Sequence, residues 1–168
     1  MKNICLFISI FFISFSFGQH HKNLDSLWKT LVKSDLCLTG FQYVGKEKTT
    51  ITSPEIILNN TKWKNLISQP KPTITHFLIL KFTDTLKTNL HTCPFFKTRN
   101  NELAVYVLQH IYGKNWYDFK EFKKFKNRDI TGSDDQPQIW LQNILANKSK
   151  RKILIKSWLR ELKRSSEE

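Results

Sequence analysis

Residues 100–117 read NNELAVYVLQHIYGKNWY, and this stretch decides what kind of fold the chain can adopt. Asn100 or Asn101 can cap a helix start, because a short side-chain oxygen accepts from an otherwise free backbone N–H. Glu102 follows in the first turn, where a negative charge suits the helix dipole. Gly113 comes directly after Tyr112, where helices commonly turn left-handed and stop. Wound at about 100° per residue, Leu103, Ala104, Val105, Val107, Leu108, Ile111 and Tyr112 cover roughly half the circumference or more. The strip left over is narrow: Glu102, Tyr106, Gln109 and His110. A helix this apolar belongs at the centre of a fold.

Working outward on the N-terminal side, other segments repeat the helical spacing. Leu24, Leu27, Trp28, Leu31 and Val32 predict a helix over residues 23–33. Ser34 and Asp35 begin a short helix or turn carrying Leu36, Cys37 and Leu38. Residues 40–52 read as a loop, with a hairpin of 41–44 against 49–51 as the competing reading. Ser53-Pro54-Glu55 has the order of a helix start, cap then proline then acid. A second start at Thr61 leads into Trp63, Leu66 and Ile67. Residues 74–82, ITHFLILKF, fit a buried helix or a strand. Helix is expected, because the neighbours are helical. Residues 87–100 read as a connector.

On the C-terminal side, Asp118 is positioned to cap a short helix with Phe119, Phe122 and Phe125 inward and Lys123 and Lys126 beside them. Ile139, Trp140, Ile144 and Leu145 mark the next helix. Ser149 is the expected cap of the last one, whose face is Ile155, Trp158, Leu159 and Leu162. The expected fold is all-α: a compact domain of six or seven short helices, with stacked helix pairs as one way to arrange them.

The first eighteen residues stand outside that fold. Lys2 is a minimal basic start, residues 4–17 are apolar apart from Ser9, Ser14 and Ser16, and Ser16 and Gly18 suit signal peptidase. The run is short of the roughly 20 residues of a membrane helix. Residues 1–18 therefore read as a cleaved secretory signal, and 19–168 as a single helical domain with frayed ends. The protein is expected to be exported, periplasmic or secreted, with no transmembrane span after cleavage. Gln19, His20 and His21 read as a frayed terminus.

The chain carries 27 Lys and Arg against 14 Asp and Glu. Such a balance suits anionic partners. The basic residues are 22 Lys and 5 Arg among many Asn, Ile and Phe, the composition an AT-rich coding sequence produces by itself. Export also removes most contact with nucleic acid. A protein or an anionic envelope surface is the expected partner. Lys150, Arg151, Lys152, Lys156, Arg160 and Lys163, on a basic amphipathic segment, are the surface-binding candidates.

Cys37 and Cys93 are the disulfide candidates, because an exported protein meets an oxidising compartment. Closing the 55 intervening residues stabilises by about 4 kcal/mol in the chain-entropy account. For chemistry, Glu102, Tyr106 and His110 stand at i, i+4 and i+8 along one helix edge. Glu102 and His110 are candidates for a general acid/base pair, with Tyr106 donating between them and His91 folding back from the connector. The competing reading is a solvated helix edge. His76, His91, Cys93 and His110 lack metal-ligand spacing, and there is no HExxH or CxxC. Phosphate-binding glycines and a GxSxG elbow are absent, so no cofactor is implied. The function expected is a non-enzymatic interaction protein; the alternative is a small hydrolase-like enzyme using the central helix.

Overall fold

A computed structural model describes residues 23–38, 55–93, 96–132 and 134–167. The expected signal, the frayed terminus at 19–21, the loop at 40–52 with its competing hairpin of 41–44 against 49–51, Ser53 and Pro54 lie outside the described residues. Among those described, the chain is mostly helical with one small sheet, so the all-α expectation is corrected to a helical fold with a β element.

The helices are α1 (residues 23–32), α2 (Thr61–Ile67), α3 (Lys71–Leu80), α4 (Asn100–Tyr112), α5 (Pro137–Ala146) and α6 (Lys148–Arg164). The strands are β1 (Leu36–Cys37), β2 (Glu55–Ile56), β3 (Lys87–Cys93) and β4 (Phe96–Arg99). Their order is β2-β1-β3-β4, with β1 parallel to β2 and β3, and β3 antiparallel to β4.

Helix α4 is central, as its composition requires. Leu103, Ala104, Val105, Val107 and Leu108 are fully buried, and α3 and α5 pack on it. Gly113 closes it at φ 59° and ψ 30°, and backbone N–H groups cap the Gln109 and His110 carbonyls. The start differs from expectation. Arg99 holds the cap position, while Asn100 Nδ2 donates to Asp84 Oδ2 at 2.8 Å, so Asn100 ties the helix to the segment before β3. Thr75 and Tyr112 share a 2.8 Å hydroxyl hydrogen bond between α3 and α4. Trp28 meets Phe77 edge-on at 6.0 Å, which seats α1 on α3.

Residues 74–82 are helical as expected, with Ile74, Phe77, Leu78 and Phe82 buried, although α3 begins earlier, with Pro72 in its first turn. Three other expectations are corrected. Leu36 and Cys37 pair as β1 rather than turning into a helix, and Glu55 opens β2. The supposed connector is the β3–β4 hairpin. Thr88, Leu90 and Thr92 are buried while Lys87 and Asn89 are exposed, the period of two that a half-buried strand shows. Threonine fills that face because its branched carbon suits a strand and its hydroxyl finds acceptors. Thr88 and Thr98 join at 2.6 Å across the hairpin, and Thr98 Oγ1 donates to the Leu90 carbonyl at 3.3 Å.

After α4 the aromatic-basic stretch forms two 3-10 segments, Trp116–Asp118 and Lys120–Phe125. Asp118 caps the first, accepting from Asn115 N at 2.9 Å, rather than the second. Phe119 and Phe122 point into the core and Phe125 is half-buried against Trp116 and Trp140. Helix α6 is capped by Asn147, which accepts from Lys150 N at 3.0 Å, and not by Ser149. Its buried face is Leu154, Ser157, Trp158, Glu161 and Leu162, rotated from the expected face so that Ile155 and Leu159 sit only half-buried.

Candidate functional site

The narrow strip of α4 does not behave as one edge. Glu102 is fully buried, Tyr106 is half-buried and His110 is exposed. The Glu102 carboxylate lies where α5 crosses α4. Gln138 Nε2 donates to its Oε2 at 3.0 Å, and Oε1 has no hydrogen-bond partner. Arg99 Nε stands 3.9 Å from Oε1, too far for a hydrogen bond. Burial pushes the Glu102 carboxyl above the usual carboxylate range, against smaller opposing contributions from Gln138, Gln142 and Arg99. Gln138 in turn accepts from Thr92 Oγ1 at 2.8 Å. The chain Thr92–Gln138–Glu102 thus links the hairpin, α5 and α4 through polar atoms in the core.

Beside this network lies a cleft of about 490 Å³. Tyr106, Gln109 and His110 of α4 form one wall, Trp63 of α2 another, and Trp116 and Tyr117 a third. Thr92, Gln136 and Gln138 supply amide and hydroxyl groups, while Leu38, Ile57, Ile130 and Pro137 are apolar. His110 meets Trp63 with ring centroids 5.3 Å apart at 67°, an edge-to-face contact. Glu102 and His110 share no side-chain hydrogen bond. Eight residues of helix separate them by about 12 Å along the axis. Glu102 reaches the cleft only through Gln138 and Thr92.

His91 sits apart from this wall. It lies in β3 opposite Cys37, and its Nε2 is 3.4 Å from Asp35 Oδ1. The same pairing puts Cys37 and Cys93 on adjacent strands, two positions out of register. The Cys93 side chain lies outside the described residues. Among the described residues no three of His, Cys, Asp and Glu converge as metal ligands would.

The basic candidates divide in two. Lys150, Lys152, Lys156 and Lys163 are exposed. Arg151 Nη1 donates to the Leu145 carbonyl, and Arg160 bonds Glu121 at 2.5 Å, so both fasten α6 to its surroundings. Phe119 and Trp158 stack edge-to-face at 4.8 Å in the same junction. A shallow groove runs there between Glu121 and Ile153, Lys156, Leu159 and Arg160. The Glu121 carboxyl is held below its ordinary range by its own backbone N–H and by Arg160.

Sequence reading found Tyr106 and His110 but not Trp63, Thr92, Trp116 or Gln138. Those residues are spread over some seventy positions, and no spacing rule joins them. The chain matches no protein-family model, no curated protein and no solved structure. Among the described residues, no helix is long and apolar enough to cross a membrane.

Proposed function

We propose that this is an exported, non-enzymatic interaction protein that docks on an anionic envelope surface through α6 and the adjoining 3-10 segments. One observation carries the reading: two basic segments separated by nineteen residues are held against each other. Residues 114–128 and α6 together hold fourteen of the 27 basic side chains and three of the 14 acidic ones. The Glu121–Arg160 pair and the Phe119–Trp158 contact hold them together. Lys120, Lys123 and Lys124 of one segment and Lys150, Lys152, Lys156 and Lys163 of the other are exposed. Ile153, 40% exposed, adds an apolar contact amid them. Each lysine close to an anionic bilayer contributes about 1 kcal/mol. Export, as residues 1–18 lead us to expect, would bring this face to envelope lipids and polymers.

Co-sedimentation with phosphatidylglycerol-containing vesicles tests the reading. Binding is expected at low salt, lost as salt shortens the screening length to about 3 Å near 1 M, and absent on phosphatidylcholine. The double substitution Lys152→Glu with Lys156→Glu should weaken it while the thermal midpoint stays put. Equal binding to both lipids, or salt-independent binding, would remove the anionic surface as the partner.

A further inference from the structure

The shallow groove beside α6 joins apolar and basic side chains on one outward face. Ile153, Lys156, Arg160 and Lys163 follow one another at intervals of three and four, and so do Lys152, Lys156, Leu159 and Lys163. That spacing sets all six on one side of the helix. The opposite side is complete without them, since Leu154, Trp158 and Leu162 are buried in the core. Ile153 is 40% exposed and Leu159 is half-buried. An exposed isoleucine standing alone is ordinary. Here it lines the same groove as Leu159, Lys156, Arg160 and Glu121. Arg160 meets Glu121 at 2.5 Å and offsets its charge, so the described lining, with two cations to one carboxylate, stays net positive.

This combination restricts the partner. A soluble polyanion would meet the lysines and gain nothing from Ile153 or Leu159. A neutral apolar partner would gain nothing from the lysines. An anionic lipid carries both halves, a charged headgroup with hydrocarbon directly beneath it. We propose that α6 lies flat on a bilayer of anionic lipid, with Ile153 and Leu159 entering the boundary between headgroups and acyl chains and with Lys152, Lys156 and Lys163 reaching the phosphates around them. Lysine stems lie along apolar surface while their ammonium groups stay in the polar layer. A helix at a membrane interface binds by this sum of apolar burial and charge attraction. The inference rests on the anionic-surface reading and deepens it, naming lipid rather than polymer as the surface.

Trp28, Trp63, Trp116, Trp140 and Trp158 are each at most 5% exposed, so Ile153→Trp adds an exposed indole whose fluorescence reports on the groove. With the full exported chain on phosphatidylglycerol vesicles at low salt, that variant's emission should shift to the blue. It should also be quenched when the vesicle lipid is brominated on its acyl chains, while the unsubstituted protein's emission stays as it is. Ile153→Ser should weaken vesicle binding about fivefold, the worth of burying the 40% of Ile153 that is exposed, and should leave the thermal midpoint in place. Its binding to soluble polyphosphate should not change, because that contact uses the lysines alone. Vesicle binding that salt abolishes but Ile153→Ser leaves intact, with no quenching from the acyl chains, would overturn the insertion and leave a purely electrostatic docking face. Equal losses on vesicles and on polyphosphate would also overturn it. No binding to phosphatidylglycerol vesicles at all would remove the docking face itself, and the insertion with it.

Discussion

Glu102 and Glu161 both turn inward from long helices, and the surroundings treat them in opposite ways. Glu161, on the amphipathic α6, is 7% exposed and receives Lys114 Nζ at 2.7 Å together with Arg164. Glu102, on the apolar α4, is fully buried; Gln138 donates to one oxygen, and the other has only the Arg99 guanidinium, 3.9 Å away. A carboxylate near the surface can collect cations that keep part of their hydration. Glu102 in the core loses its water and has in exchange an amide and a guanidinium beyond hydrogen-bond reach. The difference teaches that α6 is fastened by charge at its margin, whereas α4 carries a desolvated carboxyl in its first turn.

The apolar support common to both regions should matter most. Trp158 is fully buried between Tyr112 and Phe119, and Trp158→Ala should cost about 3–5 kcal/mol in urea unfolding. The two glutamates then separate by sign. Glu161→Gln should destabilise by about 1–2 kcal/mol, since Lys114 and Arg164 lose a charged acceptor at a partly solvated site. Glu102→Gln should stabilise by about 1 kcal/mol at neutral pH, because it removes a desolvated charge and keeps an acceptor for Gln138. Equal signs for these two changes would erase the comparison.

Their pH dependence sharpens it. The Glu102 carboxyl is raised above its unfolded value of 4.5. Its stabilising contribution is therefore full below that value and is lost as pH rises through the higher folded value. Asp118, lowered chiefly by its hydrogen bond to Lys126, works the other way: its contribution is present above the ordinary range and lost as pH falls. Thermal midpoints should thus decline on both flanks, and Glu102→Gln should flatten only the upper one. The smallest effect expected is at the end of α4. Gly113→Ala should cost about 1 kcal/mol from the left-handed backbone alone, because an added Cβ meets nothing within 4 Å.

How much was legible follows from which signal each element carried. The end of α4 was readable because Gly113 must be left-handed there, and its core role because few polar residues interrupt it. The helix over residues 74–82 was readable from its helical neighbours, its short apolar run fitting a strand equally well. Strand β3 was not readable, since two of the three buried positions among its described side chains, Thr88 and Thr92, are threonines that count as polar. The α6 face was displaced by about one position, because Ser157 and Glu161 occupy buried sites that an apolar count assigns to solvent. The helix caps at Asn60 and Asn147 fall one or two residues before the expected starts, which is the usual scale of boundary error.

For the candidate site the limits were different. Tyr106 and His110 could be placed on one wall, because local periodicity sets which residues share a helix face. Glu102 belongs to the same periodic set, yet α5 covers it and the hairpin reaches it through Thr92 and Gln138. The sequence by itself determined the central helix, the helical majority and the basic balance, all of which depend on residues within a few turns of one another. Tertiary structure alone decided that the connector is a hairpin, that two basic segments pack against each other, and that Trp63 and Gln109 line the same cleft. Those outcomes depend on contacts between distant residues, and there the burial of a polar atom is settled by whatever the fold brings against it.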